Sequence, residues 1–303
     1  MKEKRVVKEL EIEGGKISYT VEGEEAVILA GRVYGSRLFL PDQMDGKPVT
    51  KLDKKAFLSC KTLKGIRLPE ALKEIGDWAF AYCSSLEEVW LPGRKLLLGK
   101  GIFKECERLA GIYRLNAEGS RWEQAGRLLG AVPIKLEADY LFTPEQAGEK
   151  EWLERFDDKL KEFLGQPDED GYTKMVYCGE EDIVANMDLF LAEKRRAKAR
   201  LCFLRLINDV DLGEEFCTEL CDYLADHTVG CLSEAAWEVV FDEHGSDQEY
   251  YTVFTKAGCL TEENYDSILS RMGEAYPEMK GYLMRYHSQQ MEKVDFFDML
   301  SLD

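Results

Sequence analysis

The sequence predicts an α+β chain: a short solenoid of parallel strands and turns, followed by an all-α helical array. Three observations carry that expectation. An apolar pattern recurs every 23 residues through residues 52–112. Beyond residue 120 the alternating spacing gives way to helical spacing. The charge changes at the same place. Of the chain's 40 Lys+Arg and 58 Asp+Glu, residues 1–120 carry 21 and 18, leaving 19 and 40 for the rest, or +3 and −21. Two domains are therefore expected, residues 1–120 and 121–303.

The first thirty residues, with "KISYTVEGEEAVILAG", alternate as strands do and are expected to cap one end of the solenoid. The repeat follows. Phe57, Phe80 and Phe103 share a register with Cys60, Cys83 and Cys106, with Leu63, Leu86 and Leu109, and with Ile66, Val89 and Ile112. Leu52, Ile75 and Leu98 keep the same step. A unit this short does not bury its own apolar side, but stacked units share a core in which like residues lie over like residues. "LKGIRLP", "LEEVWLP" and "LAGIYRL" alternate and are expected to pair in parallel, about 4.8 Å apart. The "AF..C" part is expected to be a short helical turn on the far side. Gly76 and Gly99 are expected to supply the conformational freedom for entering it. The cysteines are expected to form a buried structural column.

Ile75–Pro92 resembles the BspA-like class of leucine-rich repeat, whose units carry Ile-Gly-x-x-Ala-Phe-x-x-Cys-x-x-Leu-x-x-Ile-x-Leu-Pro. The lead-in "LFLPDQMDGKPVTKL" is similar to that class as well, so the resemblance covers about residues 15–120. The third unit departs from the pattern, with "GKGIF" for Gly-x-x-Ala-Phe and Arg114-Leu115 for Leu-Pro. The resemblance implies a leucine-rich repeat solenoid that acts as an interaction scaffold without catalysis. Surface adhesion, which the class also includes, is not carried over, because the start "MKEKRVVKELEIEGG" lacks the apolar core of a signal peptide.

In Leu-x-x-Ile-x-Leu the residue between Ile and Leu points outward. Arg67, Trp90 and Tyr113 hold that place, and Phe39 holds the matching one in "LFLP". Trp, Tyr and Arg are enriched at binding hot spots, so this row is the candidate protein-binding site. Cross-strand pairing of exposed aromatics is the plainer explanation for the same residues.

In the acidic half, "TPEQ" at Thr143–Gln146 reads as a capping box, followed by an apolar stripe of Trp152, Leu153, Phe156, Leu160 and Phe163. Gly165 and Pro167 end that helix. "DIVANMDLFLAEKR" and "AKARLCFLRLIN" read as two helices or one long bent helix, and "GEEFCTELCDYLADH" as another. Ser246 with Glu249 suggests a second capping box, and "TEENYDSILSRM" and "PEMKGYLMRYH" complete the array. Phe296, Phe297, Leu300 and Leu302 form either a docked tail or a short linear motif.

The three histidines, His227, His244 and His287, form no His-Glu-x-x-His, and no serine-hydrolase elbow, phosphate loop or dinucleotide fingerprint is present. Cys217, Cys221, His227 and Cys231 have residue types that suit zinc, but the spacing fits no common finger, and Cys217 and Cys221 share a face with Leu224. No catalytic, metal or cofactor residue is therefore assigned, and no cofactor is expected. The acidic half disfavours nucleic acid and anionic membrane, which leaves an unidentified protein as the expected partner. Nine cysteines, an odd number spread over a long chain, are expected to be mostly reduced and buried, and the charged start without a signal-peptide pattern suggests a cytoplasmic setting. The alternatives are an enzyme or zinc-dependent protein with its site in the helical half, and an exported adhesin or effector.

Overall fold

The computed structural model describes residues 6–115, 120–136, 138–173 and 186–300, of which 120–122 and 290–300 are described by backbone alone. The tail side chains Phe296, Phe297, Leu300 and Leu302, and the start of the "DIVAN" segment, lie outside the described residues. The chain forms two compact units, Met1–Lys161 and Glu162–Asp303.

The first unit opens with an antiparallel meander: β1 (Lys8–Ile12), β2 (Gly15–Glu22) and β3 (Glu25–Val33). β4 (Arg37–Phe39) and the hairpin β5 (Gln43–Met44) to β6 (Lys47–Leu52) lead into the repeats. That hairpin turns through Asp45 and Gly46 at φ 53° and 72°, the left-handed region an Asp-Gly turn favours. Two parallel ladders then run along the stack. β8 (Glu74–Ile75) and β10 (Leu97–Leu98) extend the ladder from β3 and β6. β7 (Gly65–Arg67), β9 (Glu88–Leu91) and β11 (Gly111–Arg114) stack on β4 in the order β11-β9-β7-β4. The first part is thus a solenoid with the meander at its entry, as the repeat implied.

The repeated letters form the core. The rings of Phe57, Phe80 and Phe103 stack with centroids 5.4 and 5.7 Å apart. The Leu63, Leu86 and Leu109 column and the Ile66, Val89 and Ile112 column are buried. Cys83 and Cys106 are buried, and Cys60, at the entry end, is half-buried. The cysteines also close hydrogen bonds. The Cys83 thiol donates to the Phe57 carbonyl and the Cys106 thiol to the Phe80 carbonyl, each at 3.1 Å. Each thiol thereby gives a second donor to a carbonyl that already accepts from a backbone N–H, that of Cys60 for Phe57 and that of Cys83 for Phe80.

The "AF..C" segments are not helical turns. Each rung carries two left-handed residues: Lys55 and Ser59 (φ 61° and 58°), Trp78 and Tyr82 (57° and 62°), Gly101 and Glu105 (57° and 58°). The cause is a third ladder. The N–H groups of Lys55, Phe57 and Ser59 donate to the carbonyls of Asp77, Ala79 and Ala81 on the next rung. Those of Trp78, Phe80 and Tyr82 donate to Lys100, Ile102 and Lys104. An α-helix would direct these N–H groups inward along its own axis. Here alternate ones leave the rung, and the others close short turns such as Cys83 N–H to Phe80 carbonyl at 3.3 Å.

Gly76 and Gly99 serve a purpose other than the one expected. Neither has positive φ. A Cβ on Gly76 would lie 2.6 Å from the Lys54 nitrogen, and one on Gly99 would lie 2.4 Å from the Asp77 nitrogen. They are glycines because successive rungs touch backbone to backbone there.

At the far end, α1 (Ser120–Ala131) packs on β11. Gly126 and Gly130 face it: a Cβ on Gly130 would come 3.0 Å from the Gly111 Cα. α2 (Lys150–Gly165) buries Trp152, Leu153, Phe156 and Leu160 of the expected stripe, leaves Phe163 half-buried, and ends at Gly165. The expected capping box at Thr143 is absent. Residues 143–149 form turns ahead of α2, and the buried Thr143 hydroxyl has no partner among the described residues.

The second unit is helical. α3 (Met187–Ile207) is one continuous helix, capped by the Asn186 side chain, which accepts from the N–H groups of Asp188 and Leu189. α4 (Glu214–Asp226), α5 (Ala235–Glu238) and α6 (Gln248–Lys256) pack on it, and a π-turn (Val239–Glu243) prolongs α5. α7 (Glu262–Met272) and α8 (Pro277–Leu300) follow. α6 starts after Asp247 without a side-chain cap, so Ser246 forms no capping box. The reciprocal cap occurs instead between Thr261 and Asn264 at the start of α7.

Candidate functional site

The sheet β11-β9-β7-β4 aligns the four expected residues. Phe39 is opposite Arg67, Arg67 opposite Trp90, and Trp90 opposite Tyr113. The buried neighbours on either side, Ile66 and Leu68 or Val89 and Leu91, turn the row outward by strand alternation. Phe39 is 59% exposed and Trp90 38%. Arg67 is exposed and reaches Glu70 at 3.8 Å, a weak surface contact.

Tyr113 differs from the other three. It is half-buried, with its ring 4.8 Å from that of Trp90. It also lies over Gly126 of α1, where an added Cβ would come within 2.4 Å of the ring. Burial pushes its phenol above the ordinary tyrosine pKa, so the hydroxyl stays protonated. The row is therefore an open patch of Phe39, Arg67 and Trp90, braced at one end by Tyr113.

A second row flanks it. Arg37 and Glu88 form an ion pair at 3.2 Å across β7, with the Arg37 side chain running over Gly65. The opposite sheet is different in character. Its outward positions carry cross-rung ion pairs, Lys51 with Glu74 at 2.7 Å and Lys73 with Glu25. The outward aromatic residues thus lie on one face, with an ion-paired row beside them, whereas these outward positions of the other face carry ion pairs without aromatics.

One aromatic group was not legible in the outward positions of the strands. Trp78 and Tyr82 are exposed on the turn ladder, at the left-handed positions of the second rung. The Lys55 ammonium sits 4.8 Å from the centre of the Trp78 ring. The signal was present in the same 23-residue step that aligns Lys55, Trp78 and Gly101.

In the second unit the residues weighed for zinc are dispersed among other contacts. His227 stacks on Tyr223 at 4.3 Å, and its Nδ1 lies 2.7 Å from Ser233 Oγ. Ser233 Oγ in turn accepts from the Ala235 N–H at the start of α5. Burial lowers the His227 pKa, which favours the neutral ring. Cys217 and Cys221 are half-buried and Cys231 is exposed. Among the described residues, no three His, Cys, Asp or Glu side chains are grouped to hold a metal ion. Among the same residues, no helix is long and apolar enough to cross a membrane.

This geometry defines a repeat solenoid with short parallel strands on two sides and hydrogen-bonded turns on the third. Residues 44–117 match the BspA type leucine rich repeat region in six copies, and that region of the chain is of this family. A search of curated proteins found no match. Similar solved structures include a leucine rich repeat protein of T. pallidum, 31% identical, with a TM-score of 0.31. The alignment covers 35% of this chain and 49% of that one, so this chain spans about half of that relative's length. A leucine-rich repeat protein from Bacteroides capillosus ATCC 29799 is 22% identical over 33% of this chain and 78% of that one, with a TM-score of 0.30. A leucine rich cell surface protein from Faecalibacterium prausnitzii A2-165 is 21% identical over 36% and 30%, with a TM-score of 0.29.

Proposed function

We propose that the protein is a noncatalytic interaction scaffold, with a repeat domain over residues 1–120 and an acidic helical domain over residues 121–303. The single observation that carries this is the row Phe39, Arg67, Trp90 and Tyr113 on adjacent strands of the solenoid. A rigid sheet holds these side chains at fixed spacing, so little entropy is lost when a protein partner lands on them. Aromatic and Arg anchors on such a surface are the usual centres of binding energy. A cytoplasmic setting is part of the proposal. It is supported by the thiol donors of Cys83 and Cys106, whose hydrogen bonds within the stack need reduced sulfur. Burial pushes the Cys202 and Cys259 thiols up, which removes them as thiolate nucleophiles and agrees with a noncatalytic role.

The double variant Arg67→Glu/Trp90→Ala tests this reading. Both residues point away from the core, so melting should shift little. Comparative affinity capture from the native cells should show proteins retained by the wild type and depleted with the variant. An unchanged set of retained proteins would sink the site.

A further inference from the structure

The third ladder ends without a cap. On the strand side of the last rung, α1 covers β11. On the turn side, the N–H groups of Gly101, Phe103 and Glu105 occupy the places from which Lys55, Phe57 and Ser59, and then Trp78, Phe80 and Tyr82, donate to the following rung. No rung follows, and these three N–H groups form no hydrogen bond with the described residues. They lie along a cavity of about 910 Å³ lined also by Pro133, Ile134 and Phe142. The Phe142 ring meets Phe103 edge-on at 5.8 Å, so the groove has an apolar wall beside the row of donors.

We propose that this groove binds an extended peptide segment of a partner, which continues the ladder by presenting backbone carbonyls on alternate residues. The donor row itself specifies that chemistry: each earlier rung receives these bonds on alternate carbonyls. An apolar side chain of the peptide rests against the half-buried Ile134 and Phe142. The charged residues around the groove are mixed, with Lys100 and Lys104 beside Glu105, Glu107 and Asp139. The three carboxylates outnumber the two lysines and repel a free anion, whereas a carbonyl row carries no net charge for them to repel. A second copy of the chain is the poorer fit: its matching end presents donors to donors, and the Ala56 carbonyl, the middle acceptor at its entry end, already accepts from the Gly31 N–H. This site is separate from the aromatic row and does not depend on it.

The test uses the full-length protein and a displayed library of linear peptides. The most enriched peptide is synthesised and its affinity measured for wild type, Ile134→Arg and Trp90→Ala. The expected result is binding weakened about tenfold or more by Ile134→Arg, a difference of roughly one good contact, and unchanged by Trp90→Ala. Hydrogen exchange gives the second measurement. In the free protein the amides of Phe103 and Glu105 should exchange faster than those of Phe80 and Tyr82, and the peptide should slow them. The proposal is overturned if no peptide is enriched, if Ile134→Arg binds equally well, or if the Phe103 and Glu105 amides are already protected. If Ile134→Arg lowers the melting temperature, the exchange result on the wild type decides.

Discussion

Replacing Phe80 by Ala is expected to destabilise the protein by about 3–5 kcal/mol, the range for removing a fully buried aromatic side chain. Phe80 is the middle ring of the column, fully buried, with Phe57 on one side at 5.4 Å and Phe103 on the other at 5.7 Å. In a stack, each rung is stabilised by its own fold and by its two interfaces. Losing the middle ring weakens both interfaces at once and leaves a cavity that rigid, backbone-bonded neighbours do not close. Urea denaturation followed by circular dichroism measures the effect. A loss below about 1 kcal/mol would show that the rung collapses to fill the space, contrary to the packing described.

The second large effect is expected at Asp168, in the helical unit. Its carboxylate accepts from Arg195 Nε at 2.7 Å and from Lys198 Nζ at 2.8 Å. Lys198 is only 3% exposed and also donates to the Gln166 carbonyl at 2.6 Å. Burial pushes the Asp168 carboxyl up, but the hydrogen bonds and charges of Lys198 and Arg195 outweigh it and hold the pKa below the ordinary value. Asp168→Asn leaves a buried ammonium without its counter-charge, at a cost of about 3 kcal/mol near neutral pH. A carboxylate with a depressed folded pKa contributes stability above its unfolded pKa, about 3.9, and that contribution fades as pH falls through the folded value. The wild type and Asp168→Asn should therefore differ most at neutral pH and converge in acid. A difference that stays constant from neutral pH into the acid range would contradict the ion-pair account.

Much of the fold was legible because the solenoid core is written in register. Phe57, Phe80 and Phe103 had to lie on one another once their spacing was equal, and strand alternation then turned Arg67 and Trp90 outward. The turn side was harder to read. Ala-Phe near Cys suits a helical turn locally, and only the need to bond the next rung makes alternate N–H groups leave the chain. That need is a property of the stack and not of the segment. The same limit explains the caps. Thr143 and Ser246 have Gln or Glu three residues on, but the helices begin later, at Lys150 and Gln248. Thr261 forms the reciprocal cap with Asn264, a residue the usual Glu/Gln pattern passes over. For the candidate site, sequence aligned the four positions without showing that α1 braces Tyr113. The contact runs through Gly126, whose lack of a side chain carries no periodic signal.

The central claim is that the aromatic sheet face, and not the ion-paired one, meets the partner. Site-specific photo-crosslinking in the native cells tests it most directly. The crosslinking residue is placed at position 67 on the aromatic face and, separately, at position 74 on the face where Glu74 pairs with Lys51. The account predicts a discrete protein adduct from position 67 and none from position 74. Adducts from 74 alone, or from both positions equally, would contradict it.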